Sequence, residues 1–74
     1  MPCILGIDVG SSFTKAVVVS DGRVLAHAVL PSGGNYAEAA RKVAASAVGK
    51  AAIHNSDLAC TIATGYGATA VDFA

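Results

Sequence analysis

The chain has 74 residues, 54% of them hydrophobic and 14% charged, and its five basic residues balance five acidic ones to a net charge of zero. This length allows one domain, and the lack of a basic patch argues against nucleic acid as a partner. No apolar run approaches the ~20 residues of a membrane span and no signal peptide is recognisable, so we expect a cytoplasmic protein with no membrane partner.

The first half of the chain predicts three strands. Residues 3–7 are a short apolar run typical of a strand buried on both faces. Residues 13–20 are rich in β-branched side chains, which favour strands, and residues 23–30 form a third such run. The Asp-Gly pair at positions 21 and 22 favours a tight hairpin turn, so the second and third strands should pair antiparallel.

The second half predicts one helix and a fourth strand. Residues 36–48 are rich in alanine and follow Asn35, a residue type that caps helices; Gly49 favours the helix end. The apolar residues at helical spacing should face the sheet: Ala40, Val43, Ala44, Ala47 and Val48. Residues 57–63 form the last strand, which the crossover helix makes parallel to the first. The sequence therefore predicts an α/β fold, β-β-β-α-β, with a mixed sheet of order 3-2-1-4.

A polar cluster, GIDVGSSFTK at residues 6–15, lies between the first two predicted strands. Asp8 ends the first strand, and the loop of residues 64–67 follows the fourth, so parallel strands bring both to one edge of the sheet, where ligands collect. A Gly-Ser-Ser turn offers N–H groups and hydroxyls to phosphate oxygens, and Asp8 suits Mg²⁺. The alternative is a purely structural role, in which the segment is a hairpin turn and the Asp side chain hydrogen-bonds the backbone of its own turn.

The same residues resemble a known family. GIDVGSSFTKAVVV is similar to the phosphate-1 motif of the actin, sugar kinase and heat-shock chaperone ATPase superfamily. The run DGRVLAHAVLPSGGNYAEAA and the later ATGYG narrow the resemblance to the ATPases that activate 2-hydroxyacyl-CoA dehydratases and benzoyl-CoA reductases. The resemblance covers essentially all 74 residues and implies a ribonuclease H-like half-domain of the actin-like ATPase type.

The resemblance implies a role for each residue of the site. Asp8 would be the catalytic residue and would hold Mg²⁺ or its water shell. The residues that would bind ATP lie in the first turn and the facing loop: Gly10, Ser11, Ser12, Thr14, Lys15, Thr64, Gly65 and Gly67. Two positions depart from the usual family pattern, with Phe13 in place of Thr or Ser and Ala68 in place of Arg.

The resemblance also implies that residues 1–74 are the N-terminal part of a longer ATPase domain. Family members continue with a second phosphate loop, an adenosine pocket and the cysteines of a [4Fe-4S] cluster, so the ligands of the cluster are not in this chain. The implied function couples ATP hydrolysis to low-potential electron transfer. The implied partners are nucleotide and CoA-ester dehydratase or reductase subunits, with a homodimer or hetero-oligomer at full length; this fragment alone is expected to be inactive.

Three other functions stay open at this point. A sugar or small-molecule kinase of the same superfamily would use the same first motif. A non-catalytic fold segment would need no nucleotide. A ribonuclease H-like nuclease needs several convergent carboxylates for two metal ions, whereas only Asp8 is suitably placed.

Overall fold

The chain folds as a mixed sheet of four strands with a helix on one face. The computed structural model describes residues 2–74. The elements are β1 (Cys3–Val9), β2 (Phe13–Ser20), β3 (Arg23–Pro31), helix α1 (Tyr36–Ala51) and β4 (Leu58–Thr64), with short 3₁₀ turns at Asn55–Asp57 and Ala68–Ala70. The strand order is β3-β2-β1-β4, with β4 parallel to β1 and the other pairs antiparallel. The predicted fold class and sheet order are confirmed.

Helix α1 covers one face of the sheet and forms the core there. Successive strand residues point to opposite faces, and alternate residues of β1, Leu5, Ile7 and Val9, are 2% exposed or less. The helix buries the side chains predicted from its spacing, Ala40, Val43, Ala44, Ala47 and Val48. The opposite face is called the open face below; it carries exposed apolar side chains such as Ile4 and Ile62.

The local signals at the turn and the helix start form as expected. Asp21 and Gly22 have φ of 52° and 73°, the left-handed pair of a type I′ hairpin turn. Asn35 caps α1, since its Oδ1 accepts a hydrogen bond of 3.0 Å from the Glu38 N–H. The Glu38 carboxylate pairs with Lys42 at 2.8 Å, and the hydrogen bond and charge of that lysine lower the pKa of Glu38.

Helix α1 extends further than the sequence indicates. It passes through Gly49 and ends at Ala51, and the left-handed residue that follows is Ala52, with φ of 58°. The Ala52 N–H donates to the Gly49 carbonyl, so the capping bond forms although glycine is absent from the capping position.

Among residues 2–74, no helix combines the length and apolar character that a membrane span requires.

Replacing Gly49 is expected to stabilise the fold. Gly49 is an exposed helical residue, and a methyl group added there has no atom within 4 Å. Because glycine costs about 0.5–1 kcal/mol relative to alanine inside a helix, Gly49→Ala should raise the free energy of unfolding by about that amount. Urea unfolding measures it, and Ala45→Gly, at another exposed position of α1, should lower stability by a similar amount. A loss of stability in Gly49→Ala would contradict this account of the helix end.

Candidate functional site

The loop of residues 64–67, called the second loop below, lies directly against the end of β1 that leads into the turn of residues 10–12. Both occupy the edge of the sheet where β1 and β4 end, called the carboxyl edge below. The Gly67 N–H donates to the Val9 carbonyl at 2.9 Å. Gly65 lies so close that a methyl group added there would be 2.5 Å from Asp8 Oδ1 and 2.7 Å from the Val9 carbonyl oxygen. The backbone of the second loop therefore packs against the end of β1, beside the Asp8 carboxylate.

Three polar side chains form a row across the open face at this edge. The strand register pairs Asp8 with Lys15 on one side and with Thr64 on the other, and paired residues in a sheet share a face. All three are exposed. Within the described chain, the salt bridge of Glu38 is the one ion pair found, so the carboxylate and the ammonium of the row are open to a ligand.

The turn between β1 and β2 adjoins this row. The Gly10 N–H donates to the Phe13 carbonyl at 3.0 Å, which closes the turn tightly. Ser11 and Ser12 at its tip are exposed. Asp8 itself lies inside β1, which continues to Val9, rather than at the end of the strand as the sequence suggested. The ladder with β2 thus fixes the position of the carboxylate relative to the turn.

Thr14 lies on the other face from its neighbour Lys15. Its side chain is fully buried, and its Oγ1 is 2.7 Å from Ser32 Oγ. Ser32 Oγ in turn donates to the Gly10 carbonyl at 2.6 Å. Alternation along β2 therefore directs Lys15 toward Asp8 and Thr14 toward the core. The Thr14 hydroxyl supports the turn from behind, whereas the sequence placed both residues together near the nucleotide.

The sequence reading gave Ser32 no part in the site. It precedes two glycines and read only as a break after the third strand. Its contacts with Gly10 and Thr14 span 22 and 18 positions of the chain, so no local pattern indicates them. The one local clue is a hydroxyl residue placed where β3 returns to the carboxyl edge.

Aromatic side chains fix the second loop to the helix. A methyl group added at Gly67 would lie 2.6 Å from Val9 Cγ1 and 2.8 Å from the Tyr36 ring. The rings of Tyr36 and Tyr66 meet edge to face with centroids 6.2 Å apart, a favoured aromatic geometry. Tyr66 remains 81% exposed. The loop is thus held between β1 and the first residue of α1.

Open space adjoins the polar row. A groove of about 380 Å³ on the open face runs past Asp8, Lys15 and Thr64 toward His27. A larger hollow of about 760 Å³ lies between α1 and β4 and is lined by Arg41, Leu58 and others. That hollow contains none of the predicted site residues, so its size alone does not make it the functional site.

The side chains present suit a Mg²⁺ ion but do not suit a [4Fe-4S] cluster. Within residues 2–74, no group of three or more His, Cys, Asp or Glu side chains could enclose a metal ion. A single exposed carboxylate, Asp8, suits Mg²⁺, which keeps several waters and shares phosphate oxygens. A [4Fe-4S] cluster needs four thiolates, whereas Cys3 is buried and Cys60 is exposed, so these two do not fit it.

Comparison with known proteins gives a consistent picture. No family model matches the sequence. The chain is 35% identical over 63 residues to the activator of lactoyl-CoA dehydratase from Anaerotignum propionicum, across 85% of this chain. Its fold matches component A of the (R)-2-hydroxyglutaryl-CoA dehydratase of Acidaminococcus fermentans with a TM-score of 0.87 and 29% identity, across 97% of this chain. The resemblance to dehydratase activators with an actin-like ATPase fold is confirmed.

These matches cover only part of each relative. The chain spans 24% of the length of the lactoyl-CoA dehydratase activator and 28% of the length of the component A chain.

Proposed function

Starting from the similarity of this chain to activator components of 2-hydroxyacyl-CoA dehydratases, we propose that it supplies the first phosphate-binding part of an ATP-binding and ATP-hydrolysing activator. The observation that carries the proposal is the direct contact of Gly65 and Gly67 with Asp8 and Val9. That contact brings the ends of two parallel strands together, where ligands of such sheets collect.

Each side chain of the carboxyl edge has a task in this proposal. Ser11 and Ser12 present N–H groups and hydroxyls to the phosphate oxygens, and Gly10 closes the turn behind them. Lys15 adds positive charge beside the phosphates. Asp8 holds Mg²⁺ through its water shell, and the ion when bound neutralises phosphate charge. Phosphoryl transfer to water depends mainly on such positioning and charge neutralisation.

The facing loop completes the phosphate side of the site. Thr64 stands beside Asp8 in the register of β4 and β1, so its hydroxyl reaches the same space above the sheet. Gly65 brings its backbone close to the carboxylate with no side chain in the way, and Gly67 holds the loop in place through the bond of its N–H to the Val9 carbonyl. The family resemblance implies that this loop faces the terminal phosphate, and its place beside Asp8 is consistent with that role.

The proposal extends to the whole protein. Residues 1–74 are taken as the N-terminal part of a longer actin-like ATPase domain, with the second phosphate loop and the adenosine pocket outside this chain. The whole protein would act in the cytoplasm as a homodimer or hetero-oligomer and couple ATP hydrolysis to low-potential electron transfer. Its partner would be a 2-hydroxyacyl-CoA dehydratase or benzoyl-CoA reductase, and the cysteines of any [4Fe-4S] cluster would lie outside this chain.

Calorimetry with Mg-ATP and Mg-ADP tests the proposal. It uses the native protein at full length, that is, with everything its reading frame encodes. We expect saturable binding of nucleotide. In a separate assay, the release of phosphate from ATP should rise when the dehydratase is added. Absence of nucleotide binding would end the ATPase proposal. Transfer of phosphate to a hydroxyl of a small molecule, in place of release to water, would favour the kinase instead.

Removing the lysine of the polar row should weaken nucleotide binding. Lys15→Met keeps the apolar stem and removes the ammonium, so the Kd for Mg-ATP should rise about tenfold or more, as expected for a charged hydrogen bond of about 1.5–3 kcal/mol. Lys50→Met is the matched control, because Lys50 lies at the far end of α1 with a single 3.4 Å contact to the His27 carbonyl. Equal Kd values for the two variants would remove Lys15 from the site.

A further inference from the structure

We propose that Ser32 is a positioning residue that holds the turn of residues 10–12 in its phosphate-binding shape. Its effect on the turn rests on the structure alone, whereas the consequence for ATP affinity rests on the proposed function. Ser32 follows β3 and is only 3% exposed, so it cannot itself touch a ligand at the surface. It acts through the backbone of the turn in front of it.

Ser32 bonds both ends of the turn. Its hydroxyl donates to the Gly10 carbonyl at 2.6 Å, and its backbone N–H donates to the Ser12 carbonyl at 2.8 Å. One residue, supplied from 20 or more positions further along the chain, therefore fixes where the turn begins and where it ends. Removing the hydroxyl breaks the bond to the Gly10 carbonyl and leaves the bond to the Ser12 carbonyl in place.

The bond to Gly10 decides which way the next N–H points. In a planar trans peptide the carbonyl and the following N–H point in opposite directions. The Gly10 carbonyl points back to Ser32 in the core, so the Ser11 N–H in the same peptide points outward, away from the helix face. That is the side on which the exposed turn would meet phosphate oxygens. Ser32 thus orients a donor that it does not touch.

A second buried hydroxyl fixes Ser32 in this orientation. Ser32 has one hydroxyl hydrogen, and Gly10 receives it, so the 2.7 Å contact with Thr14 Oγ1 is a bond that Thr14 donates. The resulting chain runs from Thr14 to Ser32 to Gly10, and no buried side-chain polar atom of the described residues lacks a partner. Hydrogen bonds linked in this way strengthen one another.

Another buried serine separates positioning from ordinary stability. Ser20 is 4% exposed, and its hydroxyl donates to the Pro2 carbonyl at 3.0 Å, at the opposite end of β2 from the turn. Ser20→Ala therefore removes the same kind of bond as Ser32→Ala, at a place remote from the carboxyl edge. The two variants should lose similar stability and differ only at the turn.

Two measurements test the proposal. The first follows hydrogen exchange of the Gly10 amide, which bonds across the turn, relative to that of the amide of Val18, a fully buried residue of β2. Ser32→Ala should raise the ratio of the Gly10 exchange rate to the Val18 exchange rate about tenfold, as the loss of one hydrogen bond predicts. Ser20→Ala should leave this ratio unchanged. The second measures the Kd for Mg-ATP in the native protein, which should rise about tenfold for Ser32→Ala only.

The outcomes separate this proposal from the proposed function. If the unmodified protein binds no nucleotide but the exchange ratio changes as expected, the nucleotide assignment fails and the positioning role stands. An exchange ratio equal to that of Ser20→Ala overturns the positioning role. A changed ratio with an unchanged Kd overturns its consequence for ATP affinity. If Ser32→Ala does not fold, Thr14→Val replaces it, because this variant keeps the side-chain volume and removes the bond that fixes Ser32. An unchanged ratio of Gly10 to Val18 exchange in Thr14→Val also overturns the positioning role.

Discussion

Asp8→Asn is expected to abolish the Mg²⁺-dependent part of nucleotide affinity in the native protein. The substitution keeps the size of the side chain and one oxygen but removes the negative charge that a hard cation requires. Asp8 is the carboxylate of the polar row, with Lys15 and Thr64 as its neighbours, so no second acid in that row replaces it. We expect the Kd for Mg-ATP to rise on the order of 100-fold, equivalent to about 2.7 kcal/mol.

Titrations with and without EDTA measure this effect. The unmodified protein should bind ATP more tightly with Mg²⁺ present, and Asp8→Asn should bind it equally in both conditions. Asp21→Asn is the matched control, because Asp21 is exposed in the hairpin turn at the far end of β2 and asparagine tolerates its φ of 52°. Retained Mg²⁺ dependence in Asp8→Asn would show that the cation binds elsewhere.

The fold was predictable because its signals are local. Short apolar and β-branched runs mark the strands, the Asp-Gly pair at 21 and 22 sets a turn with φ of 52° and 73°, and alanine-rich helical spacing sets the buried face of α1. The strand–helix–strand order then leaves one common arrangement, with β4 parallel to β1. Nearness of the two loops follows from that topology without any knowledge of side chains.

The inner arrangement of the site was not predictable from local signals. Whether Thr14 or Lys15 faces Asp8 depends on the register of β2 against β1, and a shift of one residue would exchange the two. The support from Ser32 depends on a contact across 22 positions, which only the folded chain brings about. Motif reading therefore named the residues proposed to bind the ligand and gave no part to Ser32, whose hydroxyl donates to the Gly10 carbonyl.

Gly65→Ala is expected to be the most disruptive single methyl addition in the carboxyl edge. Gly65 has φ of 95°, a conformation that costs a residue with a Cβ about 1–3 kcal/mol. The new methyl group would also lie 2.5 Å from Asp8 Oδ1 and 2.7 Å from the Val9 carbonyl oxygen, and the backbone of β1 has no room to give. Overpacking adds a further penalty of about 1–3 kcal/mol, so we expect a total loss of about 2–6 kcal/mol.

Gly33→Ala separates the two causes. Gly33 also has a positive φ, 64°, but a methyl group there meets no atom within 4 Å, so this variant should show the conformational cost alone. Urea unfolding of both variants gives the difference, and backbone chemical shifts of Val9 report whether the loop has moved off β1 and broken its bond from the Gly67 N–H. Equal losses in the two variants, with Val9 undisturbed, would mean that the second loop does not rest on Asp8 in solution. A larger loss in Gly65→Ala, with Val9 shifted, would tie the shape of the carboxyl edge to the packing of one glycine against one carboxylate.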